Sequence, residues 1–166
     1  MLTDVLRYHV VMLPLMLLLG LSFGSFLQRP TDIVKWSAMA PAAAADATGT
    51  LNVRLTAKIE AGWKLYALTQ PEGGPKPLAI EVADGAPFTI SKKQIVAPKP
   101  KTLKDENFDL ETLYYEAEVV FIVPISTPLS KPGKTRIPLE ITFQACGNGI
   151  CLRPFTERIS VGVEGR

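Results

Sequence analysis

From Leu51 to Ile59 the chain reads LNVRLTAKI, and apolar and polar residues alternate without a break. Leu51, Val53, Leu55, Ala57 and Ile59 fall on one side, with Asn52, Arg54, Thr56 and Lys58 on the other, which is the period of a half-buried β-strand rather than a helix. Shorter runs of similar character follow: GWKLYAL, PLAIEV, FTISKKQIV, YYEAEVVFIVPI, RIPLEITFQA and ERISVGVE. Clusters of Gly, Pro, Asp and Asn separate them and favour turns. About seven or eight short strands with no convincing helix predict an all-β sandwich over residues 49–166. Trp63, Phe88, Phe121 and Phe143 lie in or beside these runs and are expected in its core. The segments EITFQAC and TERISVGV are expected to lie close together, joined by the segment that carries the cysteines.

One stretch departs from this pattern. Lys101–Tyr115, KTLKDENFDLETLYY, reads as a long polar connection, yet it carries Leu103, Phe108 and Leu110. A solvated loop does not need them, and long loops in compact domains are usually functional or disordered. An apolar side chain in such a loop is expected to cover something.

Ahead of the strands, Val10–Leu27 is an uncharged apolar run, which as a helix would reach about 27 Å and just span a bilayer. Small-x-small cleavage sites occur only well downstream, around SAMAPAAAADA, which favours a retained membrane anchor or signal segment over residues 1–28 rather than a cleaved leader. Residues 29–48, rich in Ala and Pro, read as a tether.

Charge narrows the partners. The chain carries 18 Lys and Arg against 16 Asp and Glu, and residues 1–48 hold three of each, so the domain is nearly balanced. Nucleic-acid binding would need a basic face, and the nearest candidate is the short APKPKTLK stretch, which reads as a solvated loop. The single histidine, His9, lies in the leader, so the domain offers two thiols and no imidazole for a metal. A four-ligand zinc site cannot be built from these; copper(I) on two thiolates remains conceivable chemically. No metal or organic cofactor is expected.

Both cysteines fall in FQACGNGICLRP, with glycine at 147 and 149 between them. That spacing allows a tight reversal that brings two Cα atoms within disulfide range. A loop this short constrains the unfolded chain least, so a bond here is a weak staple. A domain of this size has little need of one. Short, glycine-rich loops leave sulfurs accessible to exchange. On the residues alone, a redox-active pair, a structural disulfide and a metal or free-thiol site all stay open. The spacing is not C-x-x-C, and no helix N-terminus follows to favour a thiolate. Arg153 is the nearest cation in sequence, and either supports a thiolate or is a solvent-facing turn charge.

The residues FQACGNGICLRPFTERISV, preceded by GWKLYALTQPEGGPKPLAIEV and FDLETLYYEAEVVFIVPI, resemble the N-terminal periplasmic domain of the DsbD family of thiol:disulfide interchange proteins. The resemblance runs from about Thr48 to Glu164. It implies an immunoglobulin-like domain that passes reducing equivalents between thioredoxin-like extracytoplasmic proteins. It implies that Cys146 and Cys151 are the redox pair, with Cys151 entering the mixed disulfide. Phe108 would belong to a cap loop that shields the pair, Glu106 to its acidic approach, and Tyr66 to the flank of the site. The implied location is the periplasmic face of the bacterial envelope, held at the inner membrane by residues 10–27. Arg153 stands where family members often have a second proline, which implies a looser, more basic turn. The 166 residues contain no multi-span electron conduit and no C-terminal thioredoxin-like domain with its C-x-x-C, so the expected donor and client are separate proteins. A β-sandwich interaction module with a structural clip, or a copper(I)-handling domain, is the alternative.

Overall fold

The computed structural model describes residues 29–41, 49–126, 133–147 and 149–165. The expected anchor at residues 10–27 lies outside the described residues; among those described, no helix is long and apolar enough to cross a membrane. After a helical turn, α1 (Pro30–Ile33), the described chain forms β1 (Val34–Met39), β2 (Thr50–Ile59), β3 (Trp63–Tyr66), β4 (Ala79–Val82), β5 (Thr89–Ile90) and β6 (Lys101–Asp105). Then come β7 (Leu110–Tyr115), β8 (Glu118–Ser126), β9 (Gly133–Phe143), β10 (Ala145–Gly147), β11 (Ile150–Cys151) and β12 (Phe155–Gly165). The all-β expectation holds.

The strands pair into three sheets, ordered β1-β2-β8-β5, β11-β10-β3-β7-β6 and β12-β9-β4. Alternation sets which face each strand buries. Leu51, Val53, Leu55, Ala57 and Ile59 of β2 are all buried, opposite Val119, Phe121, Val123 and Ile125 of β8. Ile137, Leu139, Ile141 and Phe143 of β9 bury the matching face of the β12-β9-β4 sheet. Each such side chain taken from water contributes roughly 1.5–3 kcal/mol. The expected neighbours EITFQAC and TERISVGV do pair, with Phe155 opposite Phe143 and the cysteine segment between them.

The fold begins earlier than the sequence reading placed it. Residues 29–48 were expected to be a tether, but Val34–Met39 pairs along its length with β2, from Val34 opposite Ile59 to Met39 opposite Arg54. Ile33, Val34 and Trp36 are buried. Trp36 bridges two sheets, its ring 6.1 Å from that of Phe121 and 5.8 Å from that of Phe143. The segment VKWSAM alternates as β2 does, a signal masked by the alanines that follow; residues 42–48 lie outside the described part.

Two further boundaries differ. FTISKKQIV is strand only at Thr89–Ile90, and then forms a 3-10 turn at Lys92–Gln94. YYEAEVVFIVPI is not one strand: Ala117 adopts φ 59°, a turn that carries the chain from β7 in one sheet to β8 in another.

Candidate functional site

The stretch read as a long polar loop, Lys101–Tyr115, is a hairpin. β6 and β7 pair from Lys101 opposite Tyr114 to Asp105 opposite Leu110, so only residues 106–109 form the connecting tip. Polar residues on an outer strand weaken the alternation that would have revealed it. Asp109 closes the tip at φ 52°, a conformation Asp tolerates better than most residues, and the Phe108 N–H donates to Asp105 O at 3.3 Å.

The five-stranded sheet has two unlike faces. Trp63 and Leu65 of β3, with Ala145 of β10, point into the main core. Tyr66, Tyr114 and Cys146 form a second buried cluster, and Phe108 and Cys151 pack against it. Phe108 meets Tyr66 edge to face, with ring centroids 6.0 Å apart. The tip of the β6–β7 hairpin therefore rests, through Phe108, against the cluster that contains Cys146.

Cys146 and Cys151 stand directly opposite each other on β10 and β11 and are joined in a disulfide, with Cα atoms 4.1 Å apart. Three local features hold this hairpin. Gly149 takes φ 74° at its tip. The Leu152 N–H donates to Ala145 O at 3.0 Å. Gln144, just before β10, donates from Nε2 to Leu152 O at 3.1 Å and accepts the Lys76 N–H at 2.8 Å. Because β11 is the outermost strand of its sheet, the two sulfurs differ: Cys146 is 5% exposed, while Cys151 is half-buried at the sheet edge.

Tyr66 does more than flank the pair. Its hydroxyl donates to Asp105 Oδ2 at 2.6 Å and lies 3.9 Å from Cys151 Sγ. Asp105, 5% exposed, also accepts from the backbone N–H and the Nδ2 of Asn107, at 3.0 and 3.1 Å. Burial pushes the Asp105 carboxyl up, but the bonds from Tyr66 and Asn107 and the field of Lys64 outweigh it and hold it below the usual carboxylate range. Burial first, and then the bond to Asp105, push the Tyr66 phenol far above its ordinary value. At neutral pH the site thus holds a neutral phenol and a carboxylate, with the phenol oxygen turned to the sulfur. Asp105 escaped the sequence reading; the Asp-x-Asn spacing of a side-chain-closed turn was its available signal.

The remaining candidates are less involved. Glu106 is exposed and lines a cleft of about 270 Å³ with Lys64, Lys104, Asp105 and Cys146. Arg153 is exposed between β11 and β12, and no hydrogen bond or ion pair ties it to the sulfurs among the described residues. Among those residues, no group of three or more His, Cys, Asp and Glu side chains is arranged to hold a metal.

The sequence model of the family described as the N-terminal domain of the thiol:disulfide interchange protein DsbD matches residues 32–162. The chain belongs to this family. The match starts within α1, in keeping with a domain that opens near Pro30. A curated relative, thiol:disulfide interchange protein DsbD 1 of Pseudomonas aeruginosa, is 32% identical over 76 residues, which cover 45% of this chain and 12% of that protein. The matched region thus spans about an eighth of that relative. Among solved structures, the DsbD N-terminal domain of Neisseria meningitidis in its reduced form superposes with a TM-score of 0.56 at 18% identity, covering 84% of this chain and 92% of that one. The N-terminal periplasmic domain of ScsB from Proteus mirabilis gives 0.53 at 21% identity, covering 83% and 49%. These two likenesses establish the fold shared with the DsbD N-terminal family.

Proposed function

We propose that this domain is a thiol–disulfide exchange module that passes reducing equivalents between thioredoxin-like partners through Cys146 and Cys151. The observation that carries the reading is the placement of the disulfide: it closes a two-strand hairpin on a sheet edge, with Cys146 buried, Cys151 at the rim, and Phe108 packed against the cluster of Tyr66, Tyr114 and Cys146. A bond meant only to brace the fold would gain more across a long loop in the core.

The exchange balances as follows. A donor thiolate attacks Cys151 Sγ; the donor–Cys151 bond forms, the Cys146–Cys151 bond breaks, and its electron pair leaves on Cys146 as a thiolate. The donor's second thiolate then attacks the donor sulfur of the mixed disulfide and expels Cys151. The donor ends as a disulfide and the domain as a dithiol, ready to reduce an oxidised client by the reverse sequence. Tyr66 accepts a hydrogen bond from a Cys151 thiol through the oxygen that already faces the sulfur. Phe108 covers the pair until a docking partner displaces the hairpin tip, a gate of the kind loops commonly form. Glu106, at the cleft beside Cys146, contributes to partner choice, and Arg153 makes the turn after β11 more basic.

The proposed setting is the periplasmic face of a bacterial envelope, with residues 1–28 as anchor and the folded domain following directly from Pro30 onward. The test is a covalent trap. Cys146→Ser leaves Cys151 to capture its partner from envelope extract; recovery of a thioredoxin-like protein as a reducible adduct supports the exchange reading. A pair whose reduction potential lies below about −300 mV, together with no adduct, would make the bond a structural clip.

A further inference from the structure

Lys64 has no part in the reading above, yet it stands beside the buried sulfur. On the outer face of the five-stranded sheet, Cys151, Cys146 and Lys64 form one row across three adjacent strands: Cys146 is opposite Cys151 on one side and opposite Lys64 on the other. Directly opposed residues of antiparallel strands project to the same face, with Cβ atoms about 4.5–5.5 Å apart. Lys64 and Cys146 also line the same cleft. Among the described residues Lys64 has no ion-pair partner within contact; its ammonium rests 5.6 Å above the Tyr114 ring and acts on Asp105 from a distance.

The two sulfurs therefore sit in opposite fields. Cys151 faces the Tyr66 oxygen, whose proton is committed to the Asp105 carboxylate. Cys146 is flanked by a half-buried cation on a flexible stem. The other charged groups at this cleft are Lys104, already paired with Asp109 at 2.8 Å, and Asp105 and Glu106 from the β6–β7 hairpin. When a disulfide is attacked, the sulfur that leaves is the one better able to carry negative charge.

We propose that Lys64 decides the direction of disulfide opening by supporting Cys146 as the departing thiolate, so that incoming thiolates form their bond with Cys151. While the bond is closed Cys146 is uncharged and Lys64 lies over Tyr114; once the bond opens, the ammonium swings to the new thiolate. In the reverse sequence the same charge keeps Cys146 ionised although it is buried, ready to attack Cys151 and release the client. The inference rests on the exchange reading, but its test needs no partner.

In the full chain, Cys151→Ala isolates Cys146 and Cys146→Ala isolates Cys151; the pH midpoint of alkylation of each thiol is measured with Lys64, with Lys64→Gln and with Lys64→Arg. An opposite charge at this range lowers a thiol midpoint by roughly half a unit to one unit or more. Lys64→Gln is expected to raise the Cys146 midpoint by that amount, to move Cys151 much less, and to be reversed by Lys64→Arg. An unchanged Cys146 midpoint, an equal shift of both thiols, or no rescue by arginine would overturn the assignment. None of these results depends on whether a partner is ever captured, so failure of the trap and failure of this inference are separate.

Discussion

Gly147 shows how closely the cysteine hairpin is fitted to the core. It stands opposite Trp63, and a Cβ at this position would lie 2.6 Å from Gly62 O and 2.8 and 2.9 Å from Cδ2 and Cγ of the indole. Carbon contacts are comfortable at about 3.5–4.0 Å, so a methyl group would overlap its surroundings by roughly 0.7 Å or more on two sides. Neither neighbour can yield: one is backbone, and Trp63 is 4% exposed within the main cluster. The strain must be relieved by moving β10 away from β3, with partial loss of their hydrogen bonds. Overpacking of this kind costs about 1–3 kcal/mol, and the doubled clash puts Gly147→Ala near 3 kcal/mol. For a domain of this length that is a fall in Tm of about 8–15 °C. Gly162→Ala is the control: nothing lies within 4 Å of its Cβ, so the change is expected to be neutral or slightly stabilising. Thermal unfolding of the oxidised proteins, followed by near-UV circular dichroism, reads both. If Gly147→Ala melts within 2 °C of the parent, or the control loses as much, the account of the hairpin resting on the indole is wrong.

Two further outcomes follow from the same geometry. Phe108→Ala removes the ring that packs on Tyr66 and its cluster with Cys146, and is expected to speed reduction of the bond by a small thiol several-fold with little loss of stability, because the tip is otherwise exposed; unchanged stopped-flow rates would end the idea of a cap. Glu157 faces inward on β12 with Oε2 buried and unpartnered among the described residues, and burial pushes its carboxyl up. The folded state then holds its proton more tightly than the unfolded chain, so stability is greatest below the ordinary glutamate range and declines as pH rises through the raised folded value. Glu157→Gln is expected to melt higher than the parent at pH 7 and to flatten this decline; equal melting curves at pH 4 and pH 7 in both proteins would refute it.

Alternation decided what could be read early. In β2 and β9 the apolar residues recur at every second position, and a strand buried on one face can satisfy that period only in one way. The paired cysteines and the apolar ring at 108 were legible from their spacing and setting, whereas Tyr66 was marked only by the family resemblance. Where local pattern was faint, the reading failed: VKWSAM was lost in an alanine-rich neighbourhood, and Lys101–Asp105 was hidden because only Asp105 of that strand is buried.

Asp105, Gln144, Lys64 and Gly147 belong to a different class. Tyr66 and Asp105 are 39 positions apart, and their 2.6 Å bond exists only because β6 and β7 bring the cap turn back over β3. Lys64 and Cys146 became neighbours through strand register, and the need for glycine at 147 came from an indole more than eighty residues earlier in the chain. By itself, then, the order of amino acids determined the strand-rich class, a cysteine pair close enough to join across a glycine-containing turn and an apolar ring in an otherwise polar stretch, because these follow from local periodicity and side-chain chemistry. Tertiary structure alone decided which sulfur is buried, which charges face each one and what holds the hairpin, because fields and contacts depend on distances through space that no local spacing encodes.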